Sequence, residues 1–294
     1  MTSITAPHTE LPFELGKPQS FQGLGLIPLF RRGEPALEYI GLDEAAAAGL
    51  VVTEIDQSGS VGTLAVSNPL KHNVLLYEGE ELIGAKQNRV LERTILVHSQ
   101  SKTPVPVNCV ERGRWSYRSQ QFATAPRAAH PQMRRMSRES GQAGVWAEIS
   151  AKSARLEAAS PTDAVEAVYF KHRSSLEEYL AALPRQEGQR GAIVAVGGRV
   201  VCLDYVSRSE VYAGLYAKLL RGYALDAVEQ PGDAPVPEDY ARLLVRRIAR
   251  AKRGLGTQQG LGVDRDVAGR GVAGSELVLG DEDVALSVFP TGRA

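Results

Sequence analysis

The stretch from Tyr77 to Val97 reads YEGEELIGAKQNRVLERTILV. It continues an apolar run, "NVLL", and it closes on another, "ILV". Between them lie three glutamates, a lysine, an asparagine and an arginine, all within residues 78–89. Apolar runs of this length bounded by turn formers read as strands. A turn at Gly84 then makes the stretch two strands meeting end to end, with acids from one brought beside the donors of the other.

Working outward, the same pattern fills the first part of the chain. "FQGLGLIPLF" alternates Leu24, Leu26 and Pro28 with Gly25, Ile27 and Leu29, so both faces of that strand are apolar. "ALEYIGL", "LVVTEID", "GTLAVSN", "RVLERTILV" and "TPVPVNCV" follow, separated by Ser58-Gly59-Ser60, Asn68-Pro69 and 99–102. "DEAAAAG" interrupts them as a short helix, with Asp43 suited to the N-cap and Gly49 to the C-cap. About seven strands at this spacing predict a sandwich or barrel through residue 118.

Beyond Tyr117 the character changes. Residues 119–142 are polar, basic and punctuated by proline, and read as a linker. "GVWAEISAKSARLEAAS" carries Val145, Ile149 and Leu156 at helical spacing. Ser160 and Pro161 suit the start of the next helix, and "SSLEEYLAAL" makes another. "GAIVAVGGRVVCLDYV" is a hairpin turning at Gly197-Gly198. Two long helical patterns follow, "SEVYAGLYAKLLRGYALDAV" and "PEDYARLLVRRIARA", the second ending in a cationic run that suits a helix C-terminus. The glycine-rich "GLGVDRDVAGRGVAG" fits neither a dinucleotide-binding nor a phosphate-loop pattern and reads as a flexible loop. "SELVLGDEDVALSVFP" returns to strand, turning at Gly280-Asp281.

The fold class is therefore α+β. It has a β-rich sandwich or barrel-like N-terminal part (13–118), the linker (119–142), and a helical insertion and hairpin with long helices (143–253). A C-terminal loop and strands (254–294) return to the sheet. Residues 1–12 read as a disordered tail, and 13–294 as one domain.

The chain has 294 residues, 43% hydrophobic and 23% charged, with 34 basic side chains against 34 acidic. That balance argues against a nucleic-acid coat, whose affinity rests on phosphate neutralisation, so no nucleic-acid partner is expected. The two cysteines, Cys109 and Cys202, give no disulfide framework, and the five histidines have no zinc-site spacing. No metal site and no particular cofactor follow. Nothing reaches the ~18 apolar residues of a membrane span, and the first residues do not form a signal peptide. A cytoplasmic protein without a membrane partner is expected.

Two clusters carry the chemistry. In a strand, Glu78 and Glu80 share one face, where paired carboxylates could hold a divalent cation or act as acid and base; the plainer reading is a solvated hairpin end. Lys86 and Arg89 could hold a phosphate or carboxylate, and Asn88 could orient a sugar or amide; the plainer reading is a salt-bridged hairpin. The second cluster is "PVPVNCVERGRW". Val105, Val107, Cys109 and Glu111 share a strand face, with Cys109 most simply a small core residue. Arg112 and Arg114 end the strand, and Trp115 could stack a planar ring or anchor the strand to the core.

These two motifs, in this order and spacing, resemble a bacterial domain family named for its association with ADP-ribosylglycohydrolase and rhodanese-phosphatase proteins. The motif positions are Glu78, Gly79, Glu80, Gly84, Lys86, Gln87, Asn88, Arg89, Cys109, Glu111 and Trp115. The resemblance runs from Leu15 to Pro290. The family has no established activity, and the company in its name points to ADP-ribose or NAD-derived metabolites.

Two function classes follow. The first is binding or processing of a nucleotide-derived small molecule. There Glu80, Glu111 and Lys86 would be catalytic, and Glu78, Asn88, Arg89, Arg112 and Trp115 would bind the ligand. The second is a non-catalytic scaffold or assembly module whose polar motif is structural, with a homo-oligomer as its natural form.

Overall fold

A computed structural model describes residues 11–292; the expected disordered tail lies, up to residue 10, outside them. At the two tail residues that are described the chain is already packed, with Leu11 against the core and the Pro12 carbonyl accepting from Arg32 N–H.

Two strands, β1 (Phe13–Leu15) and β2 (Gln19–Phe21), pair with the longer β3 (Leu24–Arg31). The two apolar faces of β3 enter two different cores: Leu24 and Leu26 one, Ile27 and Leu29 the other. This strand therefore leaves the N-terminal β-rich part and joins the sheet built by the C-terminal half. After β4 (Ile40–Gly41) comes α1 (Leu42–Ala47). Its N-cap is Gly41 rather than Asp43, because Asp43 turns instead to the ammonium of Lys218. Gly49, at φ +110°, ends the helix as expected.

The strands β5 (Val51–Glu54), β6 (Thr63–Asn68), β7 (Val74–Leu76), β8 (Glu80–Gly84), β9 (Arg89–Leu91), β10 (Ile95–Val97) and β11 (Ser101–Cys109) follow. Then comes β12 (Phe122–Ala128). Six of these close a barrel in the order β11-β6-β5-β12-β8-β9, while β10, β7 and β4 form a small separate sheet. Closure is made by β11, whose first half pairs with β6 and whose last three residues pair with β9. Alternate residues point inward, as the period of two requires: Val52, Leu64, Val66, Leu82, Leu91, Val105, Val107 and Phe122 form the barrel core.

The linker expected over 119–142 is corrected here. Those residues form the barrel strand β12 and the first half of α2 (Pro131–Arg155), which breaks at Gly141. Polar and prolyl residues hid both. β12 carries three alanines and a proline, and Arg134 and Arg138 of α2 are drawn into ion pairs away from solvent.

The helices α3 (Glu166–Lys171) and α4 (Arg173–Ala182) come next. Ser160 does not start α3. Its hydroxyl accepts from Thr162 and Ala164 N–H, closing a turn before the helix. The hairpin β13 (Gln189–Val196) and β14 (Arg199–Val206) turns at Gly197-Gly198 with both φ positive, which glycine adopts at little cost. It is followed by α5 (Ser209–Ala227) and α6 (Glu238–Ala249), the latter with Arg246 and Arg247 in its last turn.

The final strands are β15 (Lys252–Arg253), β16 (Val263–Gly269), β17 (Val272–Leu279) and β18 (Glu282–Pro290). The glycine-rich segment expected to be a flexible loop is in fact the hairpin β16–β17, turning through Gly271. The nine-stranded sheet runs β1-β3-β13-β14-β18-β17-β16-β15, with β2 on β3. The C-terminal strands thus reach the N-terminal β3 through the central hairpin. Helix α5 is buried on most of its circumference and packs on β12, β13 and α4, joining barrel to sheet. The architecture is α+β. Among the described residues no helix is long and apolar enough to cross a membrane.

Candidate functional site

The three glutamates of the motif are buried, with relative exposures of 1% for Glu78, 1% for Glu80 and 2% for Glu81. The expectation of a solvated hairpin end is therefore corrected. So is the shared strand face: Gly79 takes φ +86°, a tight turn forms at 77–80, and β8 begins only at Glu80. Each glutamate then goes to a different part of the fold.

Glu78 accepts from Arg138 Nε (3.0 Å), Arg134 Nη2 (3.3 Å), Ser287 Oγ (2.7 Å) and Ser275 Oγ (3.2 Å). Beside it, Asp204 accepts two bonds from Arg134 (2.8 and 2.5 Å), one from Tyr77 Oη (2.7 Å) and one from Tyr223 Oη (2.5 Å). Burial pushes both carboxyls up, but these donors outweigh it and hold both below their ordinary range. Glu80 accepts from Lys218 Nζ (2.9 Å) and Tyr77 N–H (2.9 Å). Glu81 makes a bidentate pair with Arg127 (2.6 and 2.8 Å). With one cation each, burial wins and both carboxyls are raised. This end of the motif is a joint tying barrel, sheet and helices α2 and α5.

The other end of β8 is different. Gly84 and Ala85 open the turn to β9, and Gly84 N–H is bonded to Asn88 Oδ1 (3.1 Å). Arg114 pins this turn with every guanidinium nitrogen: Nε to Glu111 (2.8 Å), Nη1 to the carbonyls of Ala85 (2.6 Å) and Ser116 (2.9 Å), and Nη2 to Gly84 O (3.2 Å) and Asn88 Oδ1 (3.1 Å). Glu111 also accepts from Asn88 N–H (3.3 Å) and Thr162 Oγ1 (3.1 Å) and pairs with Arg118 (3.4 Å). Its carboxyl lies below the ordinary range, since Arg114 and these donors outweigh burial.

Arg89 and Cys109 are register partners across β9 and β11, with side chains inside the barrel end. The Arg89 guanidinium is fully buried. It donates to Gln87 Oε1 (2.7 Å) and Cys109 Sγ (2.9 Å), and Glu54 Oε1 lies 3.9 Å away. Burial lowers the Arg89 pKa and pushes the Cys109 thiol up to about 11, so Cys109 stays protonated at neutral pH while the barrel end is closed.

Above them Lys86 Nζ donates to the carbonyls of Gln57 (2.8 Å) and Ser58 (2.5 Å). It sits 5.3 Å from the Trp115 ring centroid and 5.1 Å from that of Tyr117. Both rings are nearly half exposed, at 46% and 44%. The arrangement excludes the reading of Trp115 as a core anchor. Arg112 is exposed and lies over the Trp146 ring at 5.2 Å.

The structure thus brings Lys86, Asn88, Arg89, Cys109, Glu111, Arg112 and Trp115 to one barrel mouth. It leaves Glu78 and Glu80 at the opposite end of β8, where neither contacts Lys86 or Glu111. Cations outnumber carboxylates at the mouth: Lys86, Arg89, Arg112, Arg114 and Arg118 against Glu54, Asp56 and Glu111. Among the described residues no group of three or more His, Cys, Asp and Glu side chains is placed to hold a metal ion.

Sequence reading missed Glu54, Tyr117, Arg134, Arg138, Asp204 and Lys218. Two of these carried a signal, since Asp204 sits in the apolar run "VVCLDYV" and Lys218 in "LYAKLL". A lone charge in a doubly buried element needs a buried partner.

A family model described as ARPP-1, the ARG and Rhodanese-Phosphatase-superfamily-associated Protein domain, matches residues 12–289. No curated protein and no solved structure matches the chain.

Proposed function

The chain belongs to the ARPP-1 domain family, and from that premise we propose that it binds a nucleotide-derived anion, of the ADP-ribose or NAD class, at the mouth of the six-stranded barrel. The observation that carries this is two half-exposed aromatic rings, Trp115 and Tyr117, held over Lys86 where cations outnumber carboxylates. Barrel mouths are common ligand sites. An exposed ring stacks a base whatever its identity, and guanidinium groups match phosphate geometry. In this reading Trp115 stacks the base, Arg112 and Arg118 meet phosphates, and Lys86, Asn88 and Arg89 shape the charge beneath. In the same reading Glu111, ionised beside Arg114, is the carboxylate that would assist any processing. The family name agrees, since it associates the domain with ADP-ribosylglycohydrolase proteins.

Trp115 and Trp146 are the only tryptophans, so a Trp146→Phe protein reports Trp115 alone. ADP-ribose and NAD should quench that fluorescence and raise the melting temperature. No quenching and no thermal shift at millimolar nucleotide refutes the proposal.

A second reading, a non-catalytic assembly module, is favoured by the glutamate end of the motif. Glu78, Glu80 and Glu81 are all taken up by ion pairs; those of Glu78 and Glu80 join the motif to α2 and α5, and that of Glu81 ties β8 to β12 within the barrel. A stable dimer by light scattering, with no nucleotide effect, would favour it.

A further inference from the structure

The loop over residues 55–62 crosses the barrel end above Arg89, and none of its side chains is buried. Ile55 and Val61 face solvent, at 45% and 47% exposure. The loop's own apolar side chains therefore do not hold it down; Gly59 lies near the Lys86 stem and the Trp115 ring edge, and the remaining attachment is polar. Lys86 Nζ bonds the Gln57 and Ser58 carbonyls. Tyr117 Oη reaches Gln57 O (3.5 Å), Arg89 Nη2 reaches Ser60 O (3.5 Å), and Cys109 Sγ reaches Val61 O (3.7 Å). At the loop's last residue Gly62 O accepts from Val107 N–H (3.1 Å), and before it the two bonds from Lys86 are the short ones. A segment with few buried apolar contacts opens at low cost, independently of the global fold.

What lies beneath is a guanidinium incompletely used. Arg89 Nε is buried with no hydrogen-bond partner, its Nη2 has only the 3.5 Å contact to Ser60 and the 3.9 Å approach to Glu54, and Glu54 Oε2 is likewise unpartnered. Nε and Nη2 form the edge by which arginine takes two oxygens of one oxyanion. Buried unpaired polar groups are rare in folded proteins and often mark function.

We infer that loop 55–62 is a lid latched by Lys86, and that its opening admits a phosphate group to the Nε–Nη2 edge of Arg89 inside the barrel end. The inference rests on the barrel mouth being the ligand site proposed above. It gives Lys86 a positioning role: its ammonium holds the lid shut through two carbonyls while Trp115 and Tyr117 flank it.

The lid covers Cys109, whereas Cys202 lies in the core of the large sheet. Thiol labelling of the native protein, read at each cysteine by mass spectrometry, therefore reports opening. Cys109 should label faster than Cys202. Lys86→Met should speed Cys109 by roughly tenfold to a hundredfold, the equivalent of one charge-assisted hydrogen bond, and leave Cys202 unchanged. Tyr117→Phe, a change at an exposed hydroxyl, should act in the same direction but less. Inorganic pyrophosphate should slow Cys109 labelling, whereas chloride at matched ionic strength should not. A common rate for both cysteines, unchanged by either substitution, overturns the lid. Equal effects of pyrophosphate and chloride overturn the Arg89 phosphate subsite. Failure of the nucleotide reading would show separately, as no thermal shift with ADP-ribose while the lid kinetics and pyrophosphate protection persist.

Discussion

Asp204→Asn is the sharpest test of the buried network. Asp204 is fully buried and takes two hydrogen bonds from Arg134, one each from Tyr77 and Tyr223, and a longer one from the Cys202 thiol. Asparagine keeps one acceptor and turns an amide NH₂ toward groups that can only donate or would have to reverse. Removing one partner of a buried ion pair costs about 3–5 kcal/mol. Arg134 keeps Ser287 (2.6 Å) and Glu78 (3.3 Å), which favours the lower half of that range. Stranding a tyrosine hydroxyl adds about 1 kcal/mol or more. The expected loss is about 4 kcal/mol, a large part of the roughly 5–15 kcal/mol of a typical domain. Guanidinium unfolding at unchanged slope measures it. The same experiment on Arg134→Met and on the double variant gives the coupling. The double variant should lose at least ~2 kcal/mol less than the sum of the singles, because a buried cation no longer lacks its partner. A loss under ~1 kcal/mol for Asp204→Asn, or simple additivity, would refute the claim that this pair organises the joint.

Three further outcomes are expected. Gly79→Ala puts a methyl group 2.6 Å from Arg134 Cδ at a φ of +86°; backbone strain alone is of order 1–3 kcal/mol, and a melt that matches the parent protein would contradict the tight turn. Asp226 is largely buried, which raises its carboxyl, but His130 and Lys152 outweigh burial and hold it at about 2 against an ordinary 3.8. A lowered folded-state pKa means stability that is present above pH ~4 and lost as pH falls toward ~2, about 2 kcal/mol by linkage; Asp226→Asn should remove that portion of the acid dependence, and an unaltered acid profile would exclude it. Trp115→Ala should change stability by less than about 1 kcal/mol, since the ring is 46% exposed, while abolishing nucleotide stabilisation; retained stabilisation would remove Trp115 from the binding site.

Most of the barrel is legible in the amino-acid sequence, because its strands announce themselves by a period of two and by turn residues between them. The hairpin at Gly197-Gly198 is legible for a stronger reason: two consecutive positive φ values admit few residues besides glycine. The barrel strand β12 is not legible. Its sequence, "FATAPRA", offers small and prolyl residues, and it becomes a strand because β8 presents an unpaired edge to it. The hairpin β16–β17 is masked in the same way by its glycines, which look mobile in isolation but pair along their length with a neighbouring strand.

The candidate site divides along the same line. Local sequence marks Lys86, Asn88 and Arg89 in a turn after Gly84 and Cys109 and Glu111 at a strand end, but only the β9–β11 pairing sets the two clusters opposite one another. It cannot place Glu78 and Glu80. Their partners lie far along the chain, 209 residues away at Ser287 and 138 at Lys218, and a carboxylate is indistinguishable in sequence whether water or a buried cation solvates it. Local pattern was enough for an α+β chain, a β-rich start, a cationic turn and an arginine-rich strand end, though not for their meeting. Only the packed fold makes the glutamates a buried joint and leaves the aromatic mouth open to solvent. Burial of charge is set by where distant cations arrive, and no local pattern records that.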